Sequence, residues 1–383
     1  MDVQGTCDDR FGELSELLSA SVDSGADLGA SVALVLDGEM VVDIWSGWID
    51  PERTRPWERD TITNVWSTTK TMTALSALVL VDRGELDLHA PVSKYWPEFA
   101  ANGKEGVEVR HLMSHTSGVA GWDQPITLAD ILDPISAADR LAAQAPWWEP
   151  GTASGYHGIN QGHLVGEVIR RITGRSLGTF FAEEIAGPLG ADFHIGLPAE
   201  HDHRVSPVQP PPPMDIDMSA IDTSSPAFRF FTGPPVAPTD CNTAEWRRTE
   251  IGAANGQGNA RSVARIQSVV SHGGEVDGVR LLSPSTIELI FEEQSNGVDL
   301  CLGVPLRFGI GYALADHEQF DYLPGSGICF RGGWGGSMII NDLDRRMSIA
   351  YMMNQMEPGI IGGLRSAALL RATYRALGVD LDT

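Results

Sequence analysis

Trp66-Ser67-Thr68-Thr69-Lys70 places a hydroxyl and an amine three residues apart, where a loop gives way to an amphipathic stretch over residues 71–81. On a helix this spacing puts both groups on one face, within touching distance. A serine hydroxyl is a weak nucleophile until a neighbour takes its proton, and an ammonium takes none until it is neutral. Desolvation in a cleft and the positive end of the helix dipole both push Lys70 toward the neutral amine. The same turn leaves the Ser67 N–H free to bind an oxyanion. The plain alternative is a serine N-cap followed by a solvent-facing lysine. Lysine is scarce, however: Lys70, Lys94 and Lys104 are the whole set, and only Lys70 has a serine three residues before it.

Two later segments add groups of the right kind. Tyr156-His157-Gly158 follows Trp147-Trp148-Glu149-Pro150-Gly151 and precedes a helical pattern. A tyrosine there can share a proton with Ser67 and Lys70 and later protonate a leaving group. Phe330-Arg331-Gly332-Gly333-Trp334-Gly335-Gly336-Ser337 is glycine-dense and leads into a strand, so its backbone can approach a ligand closely and donate N–H groups. A tight turn before an internal strand is the plainer reading of the same residues.

Other chemistries fit less well. His111 and His115, four apart, read as a metal pair with a third ligand from His157, His163 or Asp123, but they lack the Glu of His-Glu-x-x-His. Structural histidines beneath a cleft are the expectation, with no metal. The other hydrolase route needs a nucleophile elbow, Gly-x-Ser-x-Gly, and no such elbow is expected in this chain. With 51 acidic against 27 basic residues the formal charge is −24, which disfavours nucleic acid. Cys7, Cys241, Cys301 and Cys329 are scattered and read as reduced structural thiols. The acidic first residues and the lack of a long apolar run point to a cytoplasmic protein with no membrane partner.

These residues need a frame. The apolar spacing of Phe11, Leu14, Leu17, Leu18 and Val22 predicts a helix, and Asp37-Gly38 predicts a hairpin between strands over 31–36 and 40–45. Near the other end, residues 337–340 and 347–352 form a second apolar pair, followed by a helix over 364–377 stopped by Gly378. Helical patterns over 71–81, 159–173, 177–185, 260–271 and 284–293 lie between. The fold class expected is α+β: an antiparallel sheet built from both chain ends, flanked by helices, with an inserted mainly helical lobe and the catalytic cleft between lobes. Residues 1–66 and 250–383 are assigned to the α/β lobe and 67–249 to the helical one. The stretch 201–248 holds too much proline for a regular element and too much aromatic content for a free linker, and reads as an ordered loop folded over the cleft.

Taken in order, these motifs resemble the serine β-lactamase and penicillin-binding-protein superfamily, and most closely its esterases of class C β-lactamase fold, the family VIII carboxylesterases. Three further runs look typical of that group: Gly84-Glu85-Leu86-Asp87-Leu88-His89-Ala90-Pro91-Val92, His111-Leu112-Met113-Ser114-His115-Thr116-Ser117-Gly118, and Asn255-Gly256-Gln257-Gly258-Asn259-Ala260-Arg261. The resemblance spans residues 29–377. It implies that Ser67 is acylated, Lys70 assists its activation, Tyr156 is the second proton-transfer residue, and no cofactor is needed. Arg331-Gly332-Gly333 would stand where the lactamases have Lys-Thr-Gly, making the Trp334 N–H the second oxyanion donor beside that of Ser67. The alternative register would use Ser337.

Gly158 replaces the Asn that β-lactamases use, and Arg331 would either clamp a substrate carboxylate or point outward to acidic surface. Substrate contacts are expected from Arg331, Gly332, Gly333, Trp148 and Phe230, with Trp66, Trp122, Trp147, Phe228 and Phe231 adding apolar surface. The implied activity is hydrolysis of short- to medium-chain esters by a monomer or homodimer. β-Lactam or D-amino-acid peptide hydrolysis, acyl transfer, and a non-catalytic penicillin-binding receptor are the alternatives.

Overall fold

The computed structural model describes residues 2–213, 221–316 and 319–381. Its centre is a nine-stranded antiparallel sheet in the order Gln4–Cys7, Glu39–Gly47, Gly29–Leu36, Met347–Met353, Met338–Asp342, Ile328–Gly332, Ala313–Leu314, Pro305–Phe308, Ser295–Val298. The two chain ends meet where Met347–Met353 pairs with Gly29–Leu36 from Met347↔Leu36 to Met353↔Ala30. The α+β sheet anticipated from the sequence is therefore present. Asp37 and Gly38, with φ of 50° and 86°, form the two-residue turn whose twist matches a right-twisted hairpin.

Both faces of the central strands are apolar and buried, so the sheet is covered on both sides. The Gly12–Ser24 and Leu364–Ala376 helices pack on each other, the former also reaching the N-terminal hairpin. The Ala260–Ser271 helix crosses the centre, packing on Gly29–Leu36, Met338–Asp342 and Met347–Met353. Its Asn259 cap accepts from the Ser262 N–H at 3.0 Å, and Ser31 Oγ accepts from the Ala260 N–H at 3.1 Å, fixing where it starts over the sheet.

A second, four-stranded sheet, Phe193–His194, Gln257–Gly258, Ile62–Asn64, Val205–Ser206, does the positioning. The strand Ile62–Asn64 delivers the chain directly to Ser67, and the Val65 N–H donates to Gly256 O at 2.9 Å. The Lys70–Asp82 helix then runs through the core, buried on nearly every side, and packs on the Gln161–Thr173 and Leu177–Phe181 helices.

The stretch 201–248 departs from the expected irregular loop. It contains the helix Pro226–Thr232, which tolerates its proline because Pro226 occupies the first turn, where no intrahelical N–H is needed, and Ser225 caps the Phe228 N–H. The short helix Ala244–Arg248 follows, with Trp246 buried beneath it. The part of this loop at 214–220 lies outside the described residues.

Candidate active site

Ser67 lies in the first turn of a 3-10 segment, Trp66–Thr69, that continues into the Lys70–Asp82 helix. Trp66 has φ of 49°, a left-handed conformation that a bulky residue adopts only under constraint. The constraint is visible: its indole is buried against Trp246 and Trp334, with centroids at 5.6 and 5.0 Å. Thr69 Oγ1 donates to Trp66 O at 2.6 Å and accepts the Gly256 N–H at 2.8 Å, locking the turn to the 253–258 segment. A side chain at Gly256 would stand 2.7 Å from Thr69 Oγ1 and 2.3 Å from Phe193, so only glycine allows this clasp.

Lys70 is fully buried and its Nζ lies 3.1 Å from Ser67 Oγ, 2.7 Å from Gly158 O and 2.9 Å from Ala253 O. Burial lowers its pKa well below 10.5, and the Arg331 cation lowers it further. Tyr156 stands beside Ser67 with its hydroxyl buried and without a hydrogen-bond partner among the described residues. Burial raises its pKa, against the downward pull of Arg331 and of the adjacent Ser67 hydroxyl. The site thus joins an amine pushed toward its neutral form to a phenol pushed toward its protonated form, across one serine.

Tyr156 is braced by the 111–118 segment. His115 Nδ1 accepts the His157 N–H at 3.1 Å, and His157 itself bonds Ser117 Oγ at 2.7 Å and Gly155 O at 2.6 Å. His115 packs its ring 4.8 Å from that of Tyr156. The pair His111 and His115 does not share a helix face, since the helix Val109–Met113 ends before His115, whose φ is 64°. Among the described residues no group of His, Cys, Asp or Glu is placed to hold a metal.

The glycine-dense segment reaches the nucleophile. A Cβ on Gly333 would lie 2.5 Å from Val65 O and 3.3 Å from Ser67 N, so backbone meets backbone here. Gly333, Gly335 and Gly336 donate their N–H groups to Ser337 O, Gly359 O and Gly333 O. The N–H groups of Trp334 and Ser67 find no acceptor among the described residues. The Ser337 hydroxyl is engaged with Val65 O at 2.8 Å and Thr68 Oγ1 at 3.0 Å.

A cavity of about 230 Å³ opens beside Ser67 and is mostly apolar, with Trp66, Trp122, Trp147, Phe230, Phe231 and Trp334 prominent in its walls. Phe230 lies 6.4 Å from the Tyr156 ring and against Gly158, where a Cβ would meet it at 2.9 Å. Two expected substrate contacts, Trp148 and Gly332, and one expected apolar wall residue, Phe228, lie outside this cavity. Trp148 stays out of the cavity because its ring covers Gly155 and its indole N–H is spent on Ala153 O at 3.0 Å; its neighbour Trp147 lines the wall instead. Phe228 and Gly332 also lie away from it, Gly332 being packed on Ile361 and Gly362.

Arg331 takes neither anticipated role. It is 3% exposed, donates to Gly311 O at 3.1 Å, and lies 5.4 Å from the Phe308 ring centroid and 6.0 Å from that of Tyr156. It acts on the site through its charge. The expected absence of a Gly-x-Ser-x-Gly spacing is corrected, since Gly174-Arg175-Ser176-Leu177-Gly178 has it. Ser176 follows a helix rather than a strand, caps the helix Leu177–Phe181, and donates to Glu250 Oε1 at 2.8 Å, so it is a cap and not an elbow.

The sheet flanked by helices, with a Ser-x-x-Lys turn at a cleft, defines a serine-centred protein of β-lactamase-like fold. The family model described as Beta-lactamase matches residues 14–372, and the chain belongs to that family. It is 34% identical over 368 residues to Esterase/beta-lactamase LipL of Mycobacterium tuberculosis, covering 92% of this chain and 83% of that one. Among solved structures, a family VIII carboxylesterase superposes with a TM-score of 0.91 at 39% identity, over 98% of this chain and 100% of the other. A penicillin-binding protein homolog from Caulobacter crescentus gives a TM-score of 0.91 at 37% identity, with the same coverage.

Proposed function

We propose that the protein is a serine carboxylesterase that cleaves short- to medium-chain esters through an acyl-Ser67 intermediate. One observation carries this reading: the hydrogen-bond set of Lys70. A neutral amine has two N–H groups and one lone pair. The Gly158 and Ala253 carbonyls take the N–H groups, so the lone pair falls to Ser67 Oγ at 3.1 Å. Lys70 is thereby aimed as a base, and burial favours its neutral form.

Attack forms the bond from Ser67 Oγ to the ester carbonyl carbon while the serine proton moves to Lys70 Nζ. The oxyanion lies between the Ser67 and Trp334 N–H groups, which have no other acceptor among the described residues. Tyr156, protonated at rest, gives its proton to the departing alkoxide, and the proton on Lys70 restores it. Water then repeats the sequence on the acyl enzyme and releases the acid.

The apolar cavity favours esters over charged substrates, and its volume of about 230 Å³ favours compact acyl groups. Gly158 brings no side-chain donor, which weakens polar recognition of a β-lactam. The relative's name, Esterase/beta-lactamase, supports β-lactam hydrolysis as a side activity. The test is steady-state hydrolysis of p-nitrophenyl butyrate and of nitrocefin by wild type and Ser67→Ala. Repeated ester turnover that falls about 10³-fold or more in the variant supports the reading. Equal activity of the two proteins, or a stable adduct without turnover, overturns it.

A further inference from the structure

Tyr156 is held from behind by a side chain that no motif announces. Asp299 follows the edge strand Ser295–Val298 and is fully buried. Its Oδ1 accepts the backbone N–H groups of Tyr156, Cys301 and Leu302, each at 3.0 Å. The same turn is stitched to the tyrosine segment again by Leu300 N–H to Ser154 O at 2.8 Å, and is closed on itself by Asp299 N–H to Val304 O and Gly303 N–H to Asp299 O. Asp299 Oδ2 is buried with no hydrogen-bond partner among the described residues.

That arrangement is costly for a mere structural acceptor. Three N–H donors need one oxygen, which an amide supplies equally well, and leaving a second carboxyl oxygen bare in the interior is destabilising. The charge has a purpose if something nearby is too positive. Lys70 Nζ lies 5.0 Å and Arg331 Cζ 6.0 Å from the Tyr156 ring centroid, the neighbouring His115 and His157 are held neutral by burial, and Arg331 has no carboxylate partner within ion-pair distance among the described residues. Asp299 is the carboxyl group that bears on Tyr156, where it opposes the pull of Arg331.

We propose that Asp299 is a positioning residue of the catalytic centre: it fixes the backbone of Tyr156 within reach of Ser67 and supplies the negative charge that balances Lys70 and Arg331, and so governs the pH range in which the tyrosine–lysine pair works. The proposal rests on the acyl-Ser67 reading. Removing the charge favours the less protonated forms of Tyr156 and Lys70, so both limbs of a pH profile move to lower pH; removing the acceptor as well releases the Tyr156 N–H.

The experiment compares wild type, Ser67→Ala, Asp299→Asn and Asp299→Ala with p-nitrophenyl butyrate across pH, together with hydrogen exchange at the Tyr156 amide. Asp299→Asn is expected to keep amide protection and KM while shifting the kcat/KM profile down by about 0.5 pH unit or more. Asp299→Ala is expected to lose that protection and to lower kcat about 10-fold or more with KM within about 2-fold. An Asp299→Asn profile superimposed on wild type, or a Tyr156 amide that exchanges freely in wild type, overturns the proposal; if Asp299→Ala does not fold, these two measurements decide. Wild type without Ser67-dependent turnover would instead bring down the esterase reading itself.

Discussion

Lys70 Nζ lies 3.1 Å from Ser67 Oγ with its other two contacts spent on the Gly158 and Ala253 carbonyls. Neither carbonyl can be lost by a side-chain substitution, so on the general-base reading the direction of the lone pair is set by the backbone. This makes the lysine difficult to replace. Lys70→Arg keeps a cation that does not deprotonate in the working range, and Lys70→Ala removes the base. Both are expected to lower kcat by about 10² or more, as is Tyr156→Phe, which retains the ring but not the proton. Near-normal turnover by any of the three refutes the role assigned to that residue.

The same lysine carries a stability cost with a definite sign. Its folded pKa lies well below 10.5, so the unfolded chain binds the proton more readily and stability rises with pH from the folded pKa toward 10.5. Lys70→Met, of similar length and apolar, is expected to abolish activity, raise Tm at neutral pH and flatten that rise. Calorimetry across pH 6–10 checks it, and an unchanged slope would mean that Lys70 is not held neutral.

Gly333 separates the two N–H groups assigned to the oxyanion. Gly333→Ala places a methyl 2.2 Å from Ser337 Oγ and 2.5 Å from Val65 O, forcing the Trp334 N–H away from Ser67. Loss of one oxyanion donor is expected to reduce kcat about 10²-fold, with a smaller change in KM. Binding of an alkyl boronic acid, whose tetrahedral adduct needs both donors, is expected to weaken in parallel. An alanine variant that binds the boronic acid like wild type argues that Trp334 is not a donor.

How much of this was legible in the sequence follows from distance along the chain. Ser67 and Lys70 are one helical turn apart, and the hairpin at Asp37-Gly38 is set by its own turn residues, so both could be read locally. Asp299 could not: it meets Tyr156 across 143 residues, from a turn after the short, exposed strand Ser295–Val298, whose Ser-Asn-Gly-Val run gives no alternation. The partners that aim Lys70 are carbonyl oxygens, which every residue carries and no motif marks. Trp147 and Trp148 are adjacent and chemically alike, and only the packing of Trp148 on Gly155 decides which one faces the cavity. Arg331 is buried rather than clamping a substrate or pointing outward, and its depth depends on the Phe308 ring packed against it.

On the esterase reading, Phe230 bounds the space left for the acyl group. It closes the cavity against Tyr156 and Gly158 from the Pro226–Thr232 helix, itself half-buried and free of core packing on its outer side. Phe230→Ala is expected to move the optimum of p-nitrophenyl esters from butyrate toward octanoate by enlarging the pocket, and Gly158→Ala to narrow it further toward acetate. A chain-length profile unchanged in both variants would place the acyl group elsewhere.

Acid should unfold the protein from beneath the active site. His157 is buried, bonds Gly155 O and Ser117 Oγ, and has its pKa lowered from 6.5 to about 3, with His115 and His163 also lowered by burial. In the unfolded chain these imidazoles take up protons near pH 6.5, while in the folded state they resist. The sign is therefore fixed: the contribution to stability is complete above pH 6.5 and is lost as pH falls toward about 3. Tm is expected to drop steadily from pH 7 to pH 4, and His157→Gln, lower in Tm at pH 7 for its lost hydrogen bonds, is expected to show a shallower drop. Parallel Tm curves for variant and wild type would show that His157 protonates as easily folded as unfolded, and with that the account of a dry, neutral layer behind Tyr156 would fail.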